Sequence, residues 1–310
     1  MASKLQIKGK ISATKNIRQI TKAMQMVAAS KMRKAQEAAL RARPYARRGL
    51  IVLRNILAYL KGKRFESALT RERERRRVCL VVVTSDRGLC GSFNSGVLRS
   101  AAKFCREHKD KTIEIVSVGK KAKEFFKNGQ CVQAAEFGTI AETLNRYEAE
   151  ALAEWILRSY EEERYDAVYA CATSFVSVLS QKPDVYQILP LSVEELERVV
   201  RAIVPKTGRY SEIAKDEESF VVSKYYEFEP TAEELVSYAV RQMLKAEVLH
   251  LLLESAASEH SARMVAMKNA SESADKVLED LQRVMNRVRQ AGITQELSEI
   301  TTAKEALMAE

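Results

Sequence analysis

The chain has 310 residues, enough for two domain-sized units, and 46% of them are hydrophobic. Only 5 prolines and 11 glycines are present, which excludes collagen-like and intrinsically disordered chains. The net charge of +10 is concentrated in one region. Residues 1–77 hold 22 Lys and Arg against 4 Asp and Glu, whereas the remainder holds 29 against 37. A basic N-terminal quarter is therefore attached to a mildly acidic body.

The N-terminal region has uninterrupted helical periodicity from residue 7 to residue 42, which is longer than a targeting presequence needs. Pro44 predicts a kink or break, and a second helical pattern follows over residues 45–60. Apolar side chains at spacings of 3, 4 and 3 predict a buried face made of Ile17, Ile20, Met24 and Val27.

A strand pattern begins after the charged run at residues 71–77. Residues 78–83 form a short apolar, β-branched run that is typical of a buried parallel strand. Helix and strand patterns then alternate, with helices near 97–107, 120–127 and 141–163 and strands near 112–118, 131–137 and 166–173. This alternation predicts a Rossmann-like α/β domain with a mostly parallel sheet.

The C-terminal region contains the longest helical pattern. Core positions placed alternately 4 and 3 residues apart from Leu235 to Ala291 are apolar at 14 of 17 sites, and no proline interrupts them. A helix of this length needs a partner, and the N-terminal helix is the only comparable one. We therefore expect an antiparallel coiled coil of the two terminal helices. The predicted ranges are an N-terminal helix at 1–60, a charged linker at 61–77, the α/β domain at 78–230 and a C-terminal helix at 231–310.

Several kinds of site are disfavoured by the residues themselves. The turn at residues 84–94 matches neither the GxGxxG nor the P-loop pattern, so dinucleotide binding is not expected there. Cys90 in this turn has no histidine near it in sequence, and a structural turn is favoured over a nucleophile. His250 and His260 are ten residues apart, which is not a metal-ligand spacing. We expect no catalytic residue, cofactor or metal.

Two further features concern location and partners. No stretch approaches the ~20 apolar residues needed to span a bilayer, so any membrane association is expected through a partner. The five cysteines show no CxxC pairing and are interpreted as reduced thiols. The basic N-terminus leaves open a coiled-coil scaffold for nucleic acid, although no aromatic residue precedes Tyr45 to stack on bases.

Four segments together resemble the gamma subunit of F-type ATP synthase, in family order and over essentially the whole chain. They are residues 10–32, 85–94, 257–270 and 293–300. The resemblance is weakest over residues 174–230.

The resemblance implies a central rotor shaft that turns with a membrane ring and biases the affinities of the surrounding beta subunits for nucleotides. Catalysis in this family belongs to the alpha/beta ring, and gamma itself is not catalytic. The implied partners are alpha, beta and epsilon subunits and the c-ring, with one gamma copy per complex and no nucleic acid. The implied location is the cytoplasmic face of a bacterial inner membrane, where the chain is held through the complex.

The resemblance also implies contact residues by motif position. A beta lever segment would meet Lys22, Met24, Lys31 and Arg33. A beta catch loop would meet Arg289, Gln290, Thr294 and Glu296. The foot beside the membrane ring and epsilon would include Tyr226, Phe228 and Glu229.

Overall fold

The computed structural model describes residues 4–59, 69, 71, 73–127, 131–191, 229 and 231–308. Its helices, in chain order, are α1 (Lys4–Tyr59), α2 (Phe93–Glu107), α3 (Lys120–Phe126), α4 (Arg146–Glu161) and α5 (Ala232–Met308). Its strands are β1 (Arg77–Val83), β2 (Thr112–Val118), β3 (Val132–Phe137), β4 (Ala167–Ser177) and β5 (Ser180–Leu189).

The strands form one sheet in the order β3-β2-β1-β4-β5. The pairs β1–β2, β1–β4 and β2–β3 are parallel, as the alternating pattern predicts. The pair β4–β5 is antiparallel and forms a hairpin. The predicted last strand ends near Thr173, and the sequence does not predict β5. The residues beyond Thr173 alternate weakly and include Pro183, which is unfavourable inside most strands.

Side chains of β1 alternate between two hydrophobic cores on opposite faces of the sheet. Val78, Leu80 and Val82 pack with residues of α2 and α3. Cys79 and Val81 lie in the second core with α4 and with parts of α1 and α5. The sheet therefore has helices on both faces, which explains why its central strand is apolar at consecutive positions.

Helix α1 continues through Pro44, so the predicted break is wrong. Proline has no N–H group to donate to the carbonyl of residue 40, and this loss usually ends or kinks a helix. Burial on both sides offsets the loss, since Ala39 and Ile56 lie in the same core as residues of α5.

The terminal helices run antiparallel where they meet in the α/β part of the chain. Ala35 packs with Ala256 and Ala257, whereas Tyr45, further along α1, lies 3.4 Å through its hydroxyl from the amide oxygen of Gln242. The partner number falls as the α1 number rises, which confirms the predicted antiparallel coiled coil.

The described chain divides into two compact units that cut through both long helices. One unit comprises Met1–Val27 with Met264–Glu310, and we call it the shaft unit. The other is Ala28–Arg263 and contains the sheet. In the shaft unit, Arg18 of α1 forms an ion pair with Asp275 of α5 at 2.9 Å. The four predicted domain ranges stay a prediction.

The buried face of α1 differs from the predicted one. Ile17, Ile20 and Val27 are all more than half exposed. The inward positions instead repeat at spacings of 4 and 3. The buried or half-buried side chains at these positions are Ile7, Ile11, Thr14, Thr21, Gln25, Ala28, Met32, Ala35 and Ala39. Small and polar side chains occupy several of these positions, so hydrophobicity alone selects the wrong face.

In the shaft unit, every second inward position of α5 lies one residue after the position predicted from the spacing. The predicted positions Val277 and Val284 are exposed, whereas Leu278 and Ser271 are buried. The spacing of 4 and 3 is correct, but the order of the two steps is reversed. No helix in the described ranges has an apolar stretch long enough for a membrane crossing.

Candidate functional site

The turn that follows β1 is held by hydrogen bonds among its own residues. The amide N–H of Ser85 donates to Asn94 Oδ1 at 3.0 Å, and Asn94 Nδ2 donates to Ser85 Oγ at 2.8 Å. Asn94 Nδ2 also lies 3.1 Å from the sulfur of Cys90, which is buried. Cys90 therefore packs inside the turn, in agreement with the structural interpretation of this motif.

The end of β2 closes against the same turn. Thr84 Oγ1 accepts a hydrogen bond from the backbone N–H of Ala122 at 2.8 Å, and Asp86 Oδ1 accepts one from Lys120 N at 2.9 Å. Gly119 has a φ of +86°, and a Cβ there would collide with the carbonyl of Thr84. Only glycine allows this close approach of the two strand ends.

A buried polar cluster on α5 contacts the outer side of the turn, and we call it the polar clamp: Glu259, His260 and Arg263. Arg263 Nη2 donates to the carbonyls of Arg87 and Gly88 at 3.2 and 3.3 Å. Its Nη1 donates to Glu259 Oε1 at 2.8 Å. The guanidinium of Arg263 thus connects α5 to the turn through two hydrogen bonds to backbone carbonyls.

His260 completes the clamp and has a defined tautomer. Its Nδ1 lies 3.2 Å from Arg263 Nη1, and since a guanidinium only donates, Nδ1 accepts. Nε2 therefore carries the proton and donates to the carbonyl of Ala141 at 2.8 Å. Burial lowers the pKa of His260, which keeps the ring neutral. His260 also falls on the core spacing counted from Leu235, and the Ala141 carbonyl is the backbone partner of this polar core residue.

The Glu259 carboxylate is the most deeply buried charge of the clamp. Burial raises its pKa, and the neighbouring Arg263 opposes this shift. The ion pair offsets the cost of placing both charges out of water.

Residues of α5 also cover the carboxyl end of β4. Ser258 Oγ lies 3.3 Å from the carbonyl of Thr173, and Ser261 Oγ lies 2.8 Å from that of Val178. In open α/β sheets, nucleotides bind beyond the carboxyl ends of the strands, where the strand order reverses. In this chain the reversal falls between β1 and β4, and the clamp side chains and serines of α5 lie there.

The predicted lever residues have different surroundings. Lys22 and Arg33 are exposed, and Met24 is half-buried. Lys31 is half-buried, and its ammonium lies 2.5 Å from Glu142 Oε2. This hydrogen bond lowers the pKa of Glu142. Lys31 thus already has a carboxylate partner within the chain.

The predicted catch-loop residues are all exposed near the end of α5: Arg289, Gln290, Thr294 and Glu296. Arg289 and Glu296 are seven residues apart and share a helix face. Thr294 Oγ1 donates to the carbonyl of Gln290 at 3.0 Å. Of the predicted foot residues, Glu229 is exposed, whereas Tyr226 and Phe228 lie outside the described residues.

The predicted contact residues do not include the exposed apolar residues of the shaft unit. On α1 these are Ile17, Ile20 and Val27, which the periodicity assigns wrongly to the core. On α5 they are Ile293, Leu297 and Ile300, each more than half exposed beside the catch-loop residues. Both sets follow helical spacings of 3, 4 or 7 residues, as a core face does, so the sequence offers no signal that separates them from inward positions. Grouped exposed apolar side chains mark interaction surfaces.

No group of three or more potential metal ligands occurs in the part of the chain that the structure describes. The described thiols are free, and burial raises the pKa of Cys171 to about 12, so this thiol stays protonated at neutral pH. The described residues therefore provide exposed contact surfaces on the shaft unit. The buried polar side chains of the clamp hydrogen-bond within the chain and hold α5 against the turn after β1.

Comparison with known proteins gives a consistent result. A sequence model of the family described as ATP synthase matches residues 3–307. The ATP synthase gamma chain of Geobacter metallireducens is 40% identical over 309 residues, which is 99% of each chain. That of Pelotomaculum thermopropionicum is 36% identical over 307 residues, covering 99% of this chain and 100% of the relative.

Solved structures show the same fold. The central stalk and c-ring structure of Tetrahymena thermophila mitochondrial ATP synthase contains a chain that aligns with a TM-score of 0.57 and 26% identity, covering 81% of this chain and 99% of that one. A chain of the Euglena gracilis mitochondrial enzyme aligns with a TM-score of 0.61 at 18% identity over 99% of this chain and 95% of that one. Matched over nearly its whole length, this chain belongs to the family of ATP synthase gamma chains.

Proposed function

We propose that this chain is the central rotor shaft of an F-type ATP synthase, which couples transmembrane proton flow to ATP synthesis without catalysing a reaction itself. The observation that carries the proposal is the shaft unit, two paired helices whose outward faces bear apolar and charged side chains. A shaft of this kind biases its neighbours because its different faces make different contacts with them.

The alpha and beta subunits are the proposed surroundings of the shaft, with one gamma chain per complex. A beta lever segment would contact Lys22, Met24, Lys31 and Arg33, and a catch loop would contact Arg289, Gln290, Thr294 and Glu296. The exposed side chains Ile20 and Ile293 extend these two surfaces.

The foot of the chain, including Tyr226, Phe228 and Glu229, is proposed to contact the epsilon subunit and the c-ring. The chain would then lie at the cytoplasmic face of a bacterial inner membrane and be held there by the complex. The non-catalytic role is supported by the position of α5, whose side chains lie where nucleotides bind in related sheets.

The catch-loop contact is tested by the double substitution Arg289→Ala with Glu296→Ala in the assembled complex. Both side chains are exposed, so we expect the purified chain to keep its helicity and thermal midpoint. The rate of ATP synthesis in membrane vesicles is expected to fall, because the two side chains would bind differently in successive rotary states.

A matched control uses another exposed charge pair on the same helix, Asp280 and Arg283, which lie 3.5 Å apart. Asp280→Ala with Arg283→Ala is expected to leave synthesis unchanged. Equal synthesis rates in the wild type and the catch-loop variant would overturn the assignment. Failure of the chain to co-purify with alpha and beta polypeptides, combined with tight nucleic-acid binding at physiological salt, would overturn the shaft function itself.

A further inference from the structure

A cleft of about 800 Å³ lies between α1, the beginning of α4 and the first half of α5. Cavities of this size hold small organic ligands in other proteins. All of its described lining residues belong to the compact unit that contains the sheet. The family function proposed above assigns no role to this space.

Small and aliphatic side chains form the inner walls. Ala38 and Ala42 come from α1, Ala149 from α4, and Ala246 and Leu249 from α5. Three alanine-bearing helix surfaces leave a space that larger side chains would close. The walls therefore suit an apolar body.

The rim of the cleft has an excess of positive charge. Among the described lining residues it includes Lys34, Arg41, Arg146 and Lys245, whereas its carboxylates are Glu37 and Glu150. Lys245 also lies 2.5 Å from Glu154, which reduces but does not reverse the excess. An anion at the rim would be stabilised by these cations.

His250 supplies a second polar feature at the wall. Its side chain is 5% exposed, yet neither ring nitrogen has a hydrogen-bond partner in the described part of the chain. The nearest carboxyl oxygen, Glu254 Oε1, is 3.6 Å from Nε2, which is too long for a hydrogen bond. Burial lowers the pKa of His250 to about 4, so a neutral ring offers one N–H and one lone pair. Since both nitrogens are buried, His250 adds an uncharged ring to the wall of the cleft.

We propose that this cleft binds a long-chain carboxylate, with the hydrocarbon body along the alanine-lined walls and the carboxylate among the rim cations. The neutral ring of His250 then lies along the hydrocarbon body. A single negative charge suits the modest positive excess, and an amine of the same length lacks the complementary charge.

Binding is measured on the full purified chain with cis-parinaric acid, a fluorescent long-chain carboxylate. We expect a saturable rise in fluorescence that oleate reverses by competition. Octadecylamine has a similar chain and the opposite charge, so it should compete at least tenfold less well, a difference of about 1.4 kcal/mol.

Two variants separate the parts of the site. Lys34→Glu with Arg146→Glu reverses charge at the rim, and Ala246→Trp fills the space. Each should weaken binding at least tenfold. The matched control is Arg99→Glu with Lys109→Glu, which changes the same charge at exposed residues of the α2 region.

Circular dichroism of each variant establishes that it is folded. If the Ala246→Trp variant does not fold, the variant with both rim substitutions tests the proposal. Unchanged binding in the rim variant, or equal competition by oleate and octadecylamine, would overturn the proposal. A loss of binding in the α2 control as large as in the rim variant would also overturn it, because any cationic surface would then suffice. The absence of a saturable fluorescence change with the wild-type chain would likewise overturn the proposal.

Discussion

Arg263 is the residue on which the attachment of α5 to the β1 turn depends most. Its guanidinium binds two backbone carbonyls and the buried carboxylate of Glu259. The spacing of 4 and 3 counted from Leu235 predicts a core position for Arg263, but spacing gives no hydrogen-bond partners. The partners come from a turn 175 residues away in the chain. Such distant pairing requires the folded structure.

Arg263→Met is expected to destabilise the chain by about 3–5 kcal/mol, because Glu259 would remain buried without its cation. The free energy of unfolding in urea measures the effect. Adding Glu259→Gln should recover part of the loss, since the uncompensated charge is removed. Arg283→Met on the exposed part of the same helix should change the free energy by at most about 0.5 kcal/mol. Similar losses at positions 263 and 283 would contradict the buried ion pair.

Glu254 predicts a pH dependence of stability. Burial raises its pKa to about 8, so the folded chain holds a proton that the unfolded chain has already released. Stability from this group is complete below the ordinary glutamate pKa and is lost as pH rises through about 8. His250 acts oppositely, with stability lost as pH falls from 6.5 through about 4. The two effects oppose each other in acid, and Glu254 alone acts from pH 6.5 to 8.

Between pH 6.5 and 8 we therefore expect the free energy of unfolding to fall by about 2 kcal/mol through Glu254. Glu254→Gln should remove this fall, as measured by urea unfolding at the two pH values. The exposed Glu272→Gln on the same helix is the control and should leave the fall intact. A wild-type chain whose stability is the same at both pH values would exclude the raised pKa.

At the scale of the elements, the sequence predicts buried strands better than helix faces. Strand β2 lies where its alternating pattern placed it, at Thr112–Val118, and β1 differs by one residue. The predicted buried faces of α1 and α5 are wrong because exposed apolar residues give the same hydrophobic periodicity as the residues that face inward. A surface that binds other subunits resembles a core in sequence, and only packing tells the two apart.

The adjacent residues Val277 and Leu278 test the inward positions of α5. Leu278 is 8% exposed and Val277 is 48% exposed. Leu278→Asp should place a charge between the paired helices and lower the thermal midpoint of the chain by several degrees, as followed by circular dichroism at 222 nm. Val277→Asp has the same chemistry at a solvent-facing position and should leave the midpoint nearly unchanged. A larger loss of the thermal midpoint in Val277→Asp than in Leu278→Asp would show that Val277 faces inward, as the sequence spacing predicts.

At the scale of the whole molecule, charge is distributed unevenly between the two terminal helices. The first 77 residues carry a net +18, and exposed lysines of α1 include Lys8, Lys10, Lys15 and Lys22. The observed ion pairs Arg18–Asp275 and Lys31–Glu142 neutralise only a part of this charge. The sequence shows the imbalance, whereas the structure shows which cations face outward.

This excess charge predicts that association of the chain with an acidic partner surface is steered electrostatically. Raising the salt concentration should slow association with purified alpha and beta subunits about tenfold, since steering contributes ~10–10³ to association rates. Stopped-flow light scattering gives the rate. Lys15→Glu with Lys22→Glu should slow assembly at low salt and reduce the salt dependence. An association rate that does not change with salt concentration would contradict electrostatic steering and indicate that apolar contacts alone determine the rate.

The exposed apolar stripe on α1 has a consequence for how a cell produces this protein. Ile17, Ile20 and Val27 face water for as long as the chain is alone. Such a surface promotes self-association of newly made molecules. Surplus copies are therefore expected to aggregate or be degraded, so that the supply of the other subunits limits how much of the chain accumulates.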